Sequence, residues 1–416
     1  MPPGDITMKC LVLAAGDGTR MLPLTARTAK PLLRVAGRPF LAHTLESLRA
    51  AGVAEVAVLV GWQREAVIGH FSKEDQALKP AFLEQEERLG TADAVRRAEA
   101  WAKGPFLCVN GDVLPPVRTL KAVARASKKD PSAAIMTCAR VADPAGYGVV
   151  ELDAEGRVSR IVEKPERPAS DLVNAGIYAF PRDIFDEIRE TPMSRRGEYE
   201  ITTTFEHLMS RGRMRAVVMD EPWLEVTYPW DLLRVNAHLM EGLEGAVEGK
   251  VEDGAHLEGP VVVREGAHVR AGSYIIGPAI IDEGARVGPN CFVRPSTYIG
   301  KGCHVGASVE LKNTILMDGS DVPHLNYVGD SVIMEGCNLG AGTKCANLRL
   351  DEGPVVSTSR GRRVSTGLRK LGAIIGPGVK TGINATIDAG AVISEDAFIG
   401  PGARVSGFVA PGARIH

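Results

Sequence analysis

The chain has 416 residues, a hydrophobic content of 44% and a formal net charge of −2. A chain of this length exceeds one ordinary hydrophobic core, so two domains are expected. The near-neutral charge argues against nucleic-acid binding, and the sequence contains neither an apolar run that could span a bilayer nor an apolar signal segment at its start, which argues against a membrane partner. The seven cysteines are dispersed without a CxxC pair, which indicates reduced thiols and a cytoplasmic location.

Residues 8–243 alternate between strand-like and helix-like stretches. Apolar runs at 9–15, 53–60 and 106–110 predict strands, and helical spacing at 40–51 and 92–102 predicts helices. This alternation indicates an α/β domain whose mixed, mostly parallel sheet is covered by helices, and ligands of such sheets bind at the carboxyl ends of the strands. A last amphipathic helix at 230–243 and a glycine-rich linker at 244–250 complete this half.

The most specific motif of this half is LAAGDGTRM at residues 13–21, here called the signature loop, which is followed by Lys30. A strand that ends in a glycine loop allows backbone N–H groups to approach phosphate oxygens. Arg20 and Lys30 add positive charge that suits a triphosphate. A lone GxG occurs in many tight turns, and it is the combination with the downstream motifs that predicts nucleotide binding.

Those downstream motifs are Gln85 with LGTA at 89–92, NGD at 110–112, YG at 147–148, EKP at 163–165 and NAG at 174–176. Together with the signature loop they resemble, in order and over the whole N-terminal half, the sugar-1-phosphate nucleotidylyltransferases. The resemblance implies a Rossmann-like nucleotidyltransferase domain. It also implies a nucleotide site formed by Leu13, Ala14, Ala15, Gly16, Gly18, Thr19, Gln85, Gly90 and Thr91, and a sugar-phosphate site formed by Gly148, Glu163, Lys164 and Asn174.

In the implied reaction, an oxygen of a sugar 1-phosphate attacks the α-phosphorus of UTP or dTTP, and pyrophosphate leaves. Two anions must be held in line, and Arg20 and Lys30 would stabilise the charge at the transferring phosphorus. Asp112 is the expected Mg²⁺ ligand, because this cation prefers carboxylate oxygens. Relatives often carry Trp-x-Asp-x-Gly where this chain has WLEVT at 223–227, and we expect Glu225 to be the second Mg²⁺ ligand.

The C-terminal part has a different period. From Val251 to Leu311 an aliphatic residue recurs at every sixth position, and the pattern returns from Ile375 to Val405. A hexapeptide repeat indicates a solenoid of short parallel strands with the repeated side chain inside. Residues 251–416 are therefore predicted to form a left-handed parallel β-helix with an inserted loop at about 351–370. The flat sides of such a solenoid bury apolar surface against copies of themselves, which predicts a homotrimer.

Two segments on the repeat carry chemistry, HLNYVGD at 324–330 and NLGAGT at 338–343. They resemble the acetyltransferase half of the bifunctional glucosamine-1-phosphate acetyltransferase / N-acetylglucosamine-1-phosphate uridylyltransferases, in particular the archaeal-type branch. Acetyl-CoA is then the co-substrate, and His324 is the candidate base, because imidazole can deprotonate an attacking amine near neutral pH. Arg294 and Lys312 would clamp the sugar phosphate, and Tyr327, Asn338 and Asn347 would contact the substrate. His304 is interpreted as structural.

Relatives commonly carry lysines shortly after the position of Asp351, where this chain has residues 353–356, GPVV. Arg360, Arg362 and Arg363 follow and are candidates to replace these lysines or to meet the phosphates of coenzyme A. Three functions therefore stay open at the level of sequence: a bifunctional enzyme, a glucose- or mannose-type nucleotidylyltransferase whose β-helix is structural or regulatory, and a non-catalytic nucleotide-sugar sensor. The sequence does not choose between glucosamine and galactosamine, or between UTP and dTTP.

Overall fold

The computed structural model describes residues 8–73 and 79–416. These residues form two compact units. The first contains the described residues through Asp17, Ala29–Pro31 and Phe40–Glu225, and the second contains Gly18–Thr28, Leu32–Pro39 and Val226–His416. The boundaries expected from sequence, 8–243, 244–250 and 251–416, stay a prediction. Within the expected linker, Ala246–Val247 already forms a strand that pairs with Val262–Val263.

The first unit is built on one mixed sheet of nine strands. Lys9–Leu13 lies at its centre and runs parallel to Val56–Val60 and Phe106–Asn110, while Leu172–Phe180 runs antiparallel to its neighbours. The Rossmann-like mixed sheet expected from sequence is thus confirmed. Across the sheet the strands follow the order Met214–Val218, Ala134–Arg140, Leu172–Phe180, Phe106–Asn110, Lys9–Leu13, Val56–Val60 and Ala81–Glu84, with Gly148–Leu152 and Val158–Glu163 paired beside Leu172–Phe180.

Helices cover this sheet with their apolar sides. The helix predicted at 40–51 is α1 (Phe40–Ala51), and its residues Phe40, Leu41, Leu45 and Leu48 are buried. The helix predicted at 92–102 ends earlier, as α3 (Thr91–Arg96), and turns follow it to Trp101. The other helices of this unit are α2 (Arg64–Lys73), α4 (Val117–Lys129), α5 (Ile184–Glu190) and α6 (Ile201–Ser210).

The second unit is a parallel β-helix, as the repeat predicted. Its three sheets consist of short parallel strands, and the side chains of the sixth-position residues from Val263 to Leu311 are fully buried in one apolar column. Val293 pairs with Leu311 and Ile299 with Leu316, so the coil shortens by one residue between Leu311 and Leu316. The predicted insertion contains an antiparallel hairpin, Val356–Ser359 with Arg362–Ser365.

The strands of the β-helix alternate between its three sheets. The first sheet contains Ala246–Val247, Val261–Val263, Ala279–Ile281, Thr297–Ile299, Ile315–Leu316, Val332–Ile333, Ile374–Ile375, Val392–Ile393 and Phe408–Val409. The second contains Lys250–Val251, His268–Val269, Arg286–Val287, His304–Ala307, Asp321–His324, Asn338–Leu339, Lys380–Thr381, Phe398–Ile399 and Arg414–Ile415. The third contains His256–Glu258, Tyr274–Ile276, Phe292–Val293, Glu310–Lys312, Tyr327–Gly329, Lys344–Cys345, Thr386–Ile387 and Arg404–Val405.

Five further elements belong to the N-terminal segments and to the start of the second unit. The segment before α1 contains two short paired strands, and the last helix expected from sequence begins one residue later than predicted and ends three residues earlier. These elements are the strands Arg34–Val35 and Arg38–Pro39, the 3-10 turns Thr19–Met21 and Lys30–Leu32, and α7 (Asp231–Met240).

Candidate active sites

The signature loop begins where the central strand of the first unit ends. Ala14 N donates a hydrogen bond of 2.9 Å to Leu59 O, and Gly111 N donates one of 2.9 Å to Leu13 O. A Cβ on Gly111 would lie 2.4 Å from Leu13 O, so only glycine allows this approach. A Cβ on Gly16 would meet no atom within 4 Å. The backbone at 13–16 is therefore held from both sides, while Gly16 faces open space that a ligand can enter.

Lys30 and the carboxylate of Asp112 form a second feature of this edge. Lys30 Nζ lies 2.9 Å from Asp112 Oδ2, and both side chains are mostly buried. Val113 forms an antiparallel bridge with Glu225, which brings Glu225 to the backbone segment that follows Asp112. Two carboxylates on adjacent segments provide the hard oxygen ligands that Mg²⁺ prefers. The donor set at Asp112 and Glu225 thus fits a magnesium ion.

Three of the predicted nucleotide ligands, Gln85, Gly90 and Thr91, lie between the edge strand Ala81–Glu84 and the start of α3. Gln85 follows the strand Ala81–Glu84, and its Nε2 donates to Gly90 O at 3.4 Å. Gly90 has a φ of +100°, and a Cβ there would lie 2.5 Å from Tyr199 O. Thr91 Oγ1 accepts a hydrogen bond of 3.0 Å from Ile201 N. The tight contact with the segment at 199–201 explains why glycine is needed at position 90.

The four predicted sugar-phosphate ligands of the first unit also converge. Gly148 is the register partner of Glu163, and a Cβ on Gly148 would lie 3.1 Å from Glu163 Oε2 and 3.9 Å from Asn174 Cβ. Lys164 has a φ of +47°, and its N donates to Tyr147 O at 2.9 Å. Positive φ is strained for lysine and tends to persist at functional positions. Gly148 thus lies beside an acid and an amide, and the backbone of Lys164 is held next to them.

Two aromatic residues to which the sequence assigned no role border this site. The rings of Tyr147 and Trp223 meet edge to face, with their centroids 5.1 Å apart, and Trp223 Nε1 donates to Ala175 O at 3.2 Å. Tyr178 donates from its hydroxyl to Asn174 Oδ1 at 2.9 Å. Burial is the main cause that raises the pKa of Tyr178, so it stays a neutral donor. Tyr178 thus orients the side chain of Asn174, and none of the sequence motifs includes Tyr178.

The remainder of the signature loop belongs to the second unit. Thr25 Oγ1 donates to Gly18 O at 2.9 Å, and Ser359 Oγ donates to Arg20 O at 3.3 Å. The guanidinium of Arg360 donates to Thr19 Oγ1. Arg360, a candidate to replace the missing lysines or to meet the phosphates of coenzyme A, thus contacts Thr19 of the signature loop. The Arg20 side chain itself is exposed.

The residues predicted to clamp a sugar phosphate on the β-helix lie on its third sheet, and both are paired with acids. Lys312 Nζ contacts both carboxylate oxygens of Asp330, at 2.8 and 2.7 Å, and Arg294 Nη1 lies 3.1 Å from Glu310 Oε1. Asp330 is 4% exposed. Asn347 Nδ2 also donates to Asp330, at 2.5 Å. Asp330, to which the sequence assigned no role, is therefore the centre of this cluster.

Tyr327 lies at the edge of the same cluster. A Cβ on Gly329 would lie 2.6 Å from both Tyr327 Oη and Asn347 Nδ2, so these two groups converge over a glycine. Burial is the largest cause that raises the pKa of Tyr327, and the charges of Glu310 and Asp330 raise it further. The phenol stays protonated and is available as a hydrogen-bond donor to a ligand.

His324 ends a strand of the second sheet, at the corner before the third. Its side chain is exposed, its N donates to Asn326 Oδ1 at 3.0 Å, and Gly342 N donates to its carbonyl at 2.9 Å. The imidazole is thus presented to solvent by a fixed backbone. Asn338, like His324, lies on the second sheet, where it is the register partner of Asp321, whereas Lys312 and Tyr327 lie on the third.

One further group of possible metal ligands lies in the first unit. Ligand atoms of Glu187, Glu190 and His207 are within 4.8 Å of one another. Arg211 Nη1 and Arg213 Nη1 lie 2.6 and 3.2 Å from Glu187 Oε1. Because two guanidinium groups already balance the buried Glu187, this group is interpreted as an ion-pair cluster. Within residues 8–73 and 79–416, no helix has the length and apolar character needed to cross a membrane.

The sheet, the signature loop and the carboxylate pair define a nucleotidyltransferase domain, here carried on the same chain as a β-helix. The family model described as "Nucleotidyl transferase" matches residues 9–242, and the one described as "GMPPB C-terminal domain" matches residues 275–365. Among solved structures, a UDP-glucose pyrophosphorylase in complex with UDP-glucose is 25% identical, with a TM-score of 0.50, over 56% of this chain and 98% of that one.

Relatives that match both halves are more informative. "Bifunctional protein GlmU" of Methanocaldococcus jannaschii is 38% identical over 94% of this chain and 93% of its own length. The "Bifunctional sugar-1-phosphate nucleotidylyltransferase/acetyltransferase" of Sulfurisphaera tokodaii is 36% identical over 96% of this chain and 97% of its own. The chain belongs to this family of bifunctional sugar-1-phosphate nucleotidylyltransferase/acetyltransferases, as the sequence motifs indicated. The family favours the bifunctional interpretation over a nucleotidylyltransferase with a structural β-helix.

Proposed function

We propose that this chain acetylates glucosamine 1-phosphate, or a closely related amino-sugar 1-phosphate, from acetyl-CoA. It then transfers a uridylyl or thymidylyl group from the nucleoside triphosphate to the acetylated sugar, with release of pyrophosphate. The observation that supports this most strongly is the match to bifunctional relatives over more than nine tenths of both chains. The Lys30–Asp112 pair in one unit and the Asp330 cluster in the other give each reaction a separate set of side chains.

In the nucleotidyl reaction, the backbone at 13–16 and the charges of Arg20 and Lys30 hold the triphosphate. Gly148, Glu163, Lys164 and Asn174 hold the sugar phosphate, so that its oxygen faces the α-phosphorus in line. A Mg²⁺ ion held by Asp112 and Glu225 would neutralise charge on the phosphates. Lys30 stays next to Asp112 and adds positive charge where negative charge develops. No residue of the chain becomes covalently attached.

In the acetyl reaction, the sugar amine must be neutral to attack the thioester and must lose a proton as the new C–N bond forms. His324 accepts that proton through its exposed imidazole. Arg294 and Lys312 bind the sugar phosphate, and Tyr327, Asn338 and Asn347 orient the sugar or thioester. A backbone N–H of a later coil stabilises the oxyanion. Coenzyme A leaves as a thiolate and takes the proton from His324 to give the free thiol.

The chain is also proposed to act as a homotrimer in the cytoplasm. The β-helix exposes apolar side chains along its length, among them Tyr274, Phe292, Phe398 and Phe408, which a neighbouring copy would cover. All seven cysteines are buried and unpaired, in keeping with a reducing compartment.

The proposal is tested by one incubation with two readouts. The purified chain is mixed with glucosamine 1-phosphate, acetyl-CoA, UTP and Mg²⁺, and free thiol and pyrophosphate are measured separately. Release of both supports the proposal. Pyrophosphate without thiol, when N-acetylglucosamine 1-phosphate is supplied, supports a nucleotidylyltransferase alone, and release of neither supports a sensor.

A further inference from the structure

The side-chain amide of Gln85 has only one possible orientation. Gln85 is 8% exposed, and its Nε2 lies 3.0 Å from Asp93 Oδ2 and 3.4 Å from Gly90 O. Both neighbours are acceptors, so the NH₂ group must face them and uses its two hydrogens there. Among the described residues, no donor contacts Gln85 Oε1. What Gln85 can offer a ligand is therefore an acceptor and not a donor.

Asp93 holds the amide in this orientation. Its side chain is fully buried at the start of α3, where Arg96 Nη2 lies 2.7 Å from Oδ1 and Arg97 Nε 3.3 Å from Oδ2. Burial by itself would raise the pKa of Asp93. Hydrogen bonds from Gln85 and Arg96, together with the charges of Arg97 and Arg96, outweigh burial and hold this pKa below its usual value. Asp93 is thus a carboxylate at neutral pH and cannot become a donor to Gln85.

We propose that Asp93 is a positioning residue for base recognition, because it forces Gln85 to accept a hydrogen bond from the nucleobase. This inference rests on the proposed nucleotidyl transfer and on Gln85 contacting the base. The base must then offer a donor, as uracil and thymine do through N3–H. Cytosine has a lone pair at N3 and would place two acceptors face to face. A buried polar group left without its partner is costly, so the site discriminates strongly against bases that lack the donor.

Wild-type enzyme tests the first half of this inference. Pyrophosphate release from UTP, CTP and 3-methyl-UTP is compared with the same acetylated sugar phosphate. UTP is expected to give a kcat/KM at least about 100-fold above both analogues, since each lacks the N3 donor. Comparable use of 3-methyl-UTP and UTP would overturn the inference while leaving nucleotidyl transfer intact. Inactivity with all three nucleotides, and with dTTP assayed in the same way, would instead refute the proposed nucleotidyl transfer.

The variant Asp93→Asn tests the second half. An asparagine removes the closer of the two acceptors that face Gln85 Nε2 and can present its own NH₂ there. Only Gly90 O, at 3.4 Å, then favours the original orientation, so the Gln85 amide can turn over and offer a donor to the base. The ratio of kcat/KM for UTP to that for CTP should then fall at least about tenfold. An unchanged ratio in an active, folded Asp93→Asn enzyme would refute the role of Asp93.

Glu187→Gln is the matched control. Glu187 is also buried and bound by two arginines, Arg211 and Arg213, but it lies on α5 and makes no contact with Gln85. Glu187→Gln removes a comparable buried charge. The ratio of kcat/KM for UTP to that for CTP should nevertheless stay at the wild-type value. A ratio that falls equally in Glu187→Gln would attribute the effect to general loosening of the unit and contradict the inference.

Discussion

Lys30 donates a hydrogen bond of 2.9 Å from its Nζ to Oδ2 of Asp112, across 82 residues of sequence. The ammonium group is thereby fixed beside the carboxylate that is proposed to hold Mg²⁺. A flexible lysine loses side-chain entropy when it is ordered, and the ion pair with Asp112 supplies part of that ordering. A cation positioned in advance stabilises developing negative charge without reorganisation during the reaction.

Removal of this cation should disable one reaction only. In Lys30→Met, pyrophosphate release is expected to fall by about 100-fold or more, because a fixed charge at the transferring phosphorus is lost. Acetyl transfer, measured as free thiol, should stay within about twofold of wild type. Lys9→Met is the control, since it removes another lysine of the first unit, one that pairs with the exposed Glu55. Pyrophosphate release at the wild-type rate in Lys30→Met would contradict the proposed role.

Lys312 and Arg294, the two residues proposed to bind the sugar phosphate, should differ in how much their replacement by methionine lowers stability. Lys312→Met leaves the buried carboxylate of Asp330 without its ion pair, which should lower the free energy of unfolding by about 3 kcal/mol. Arg294→Met breaks a partly exposed pair with Glu310 and should cost less than about 1 kcal/mol. Its main effect should be a rise in KM for the amino-sugar phosphate. Denaturant unfolding and acetyl-transfer kinetics measure the two effects, and equal losses of stability in both variants would refute the distinction.

His304 should make the β-helix less stable in mild acid. Burial is the largest cause that lowers the pKa of His304, the charge of Arg286 lowers it further, and Asp321 opposes them. The unfolded chain therefore binds a proton at a higher pH than the folded chain, near about 6.5. The contribution of His304 to the free energy of unfolding is therefore complete above this pH and is lost as the pH falls below it.

The thermal midpoint of wild type should consequently drop more between pH 7.5 and pH 5.5 than that of His304→Gln. His256→Gln is the control, because His256 lies on the exposed face of the third sheet. Parallel pH dependence in wild type and His304→Gln would show that His304 does not titrate differently on folding.

Gly90 should not tolerate a side chain. Its φ of +100° is disfavoured for alanine, and the added Cβ would lie 2.5 Å from Tyr199 O. Gly90→Ala is expected to lower the free energy of unfolding by about 1–3 kcal/mol and to raise KM for the nucleotide. Gly69→Ala is the control, since it lies within α2 with no atom within 4 Å of the added Cβ, and it should be neutral or slightly stabilising. A Gly90→Ala enzyme as stable as wild type would contradict the strain.

The fold was predictable from sequence because its signals are periodic and local. The sixth-position aliphatic residues are buried in the β-helix, and α1 has the predicted bounds. α3 is shorter than its helical pattern suggested, because helix ends are decided by local turns rather than by apolar spacing. The motifs likewise identified which stretches of the first unit meet at the sheet edge.

The pairing of charges within the sites was not predictable. Asp330 binds Lys312 across one coil of the β-helix, and Asp93 binds Gln85 across a loop, so neither partner is marked by spacing along the chain. Arg360, at the turn of the inserted hairpin, contacts Thr19, which lies far away in the sequence. Such contacts depend on how distant segments pack, and a single sequence gives no signal for them.

The most direct test of the whole account is the rate of coenzyme A release by His324→Ala. Thiol release should fall by about 100-fold or more, as expected when a general base is removed. The same preparation should keep its oligomeric state and should release pyrophosphate from UTP and N-acetylglucosamine 1-phosphate at the wild-type rate. If thiol appears as fast as in wild type, His324 is not the base, and the claim that the β-helix carries a second active centre loses its main support.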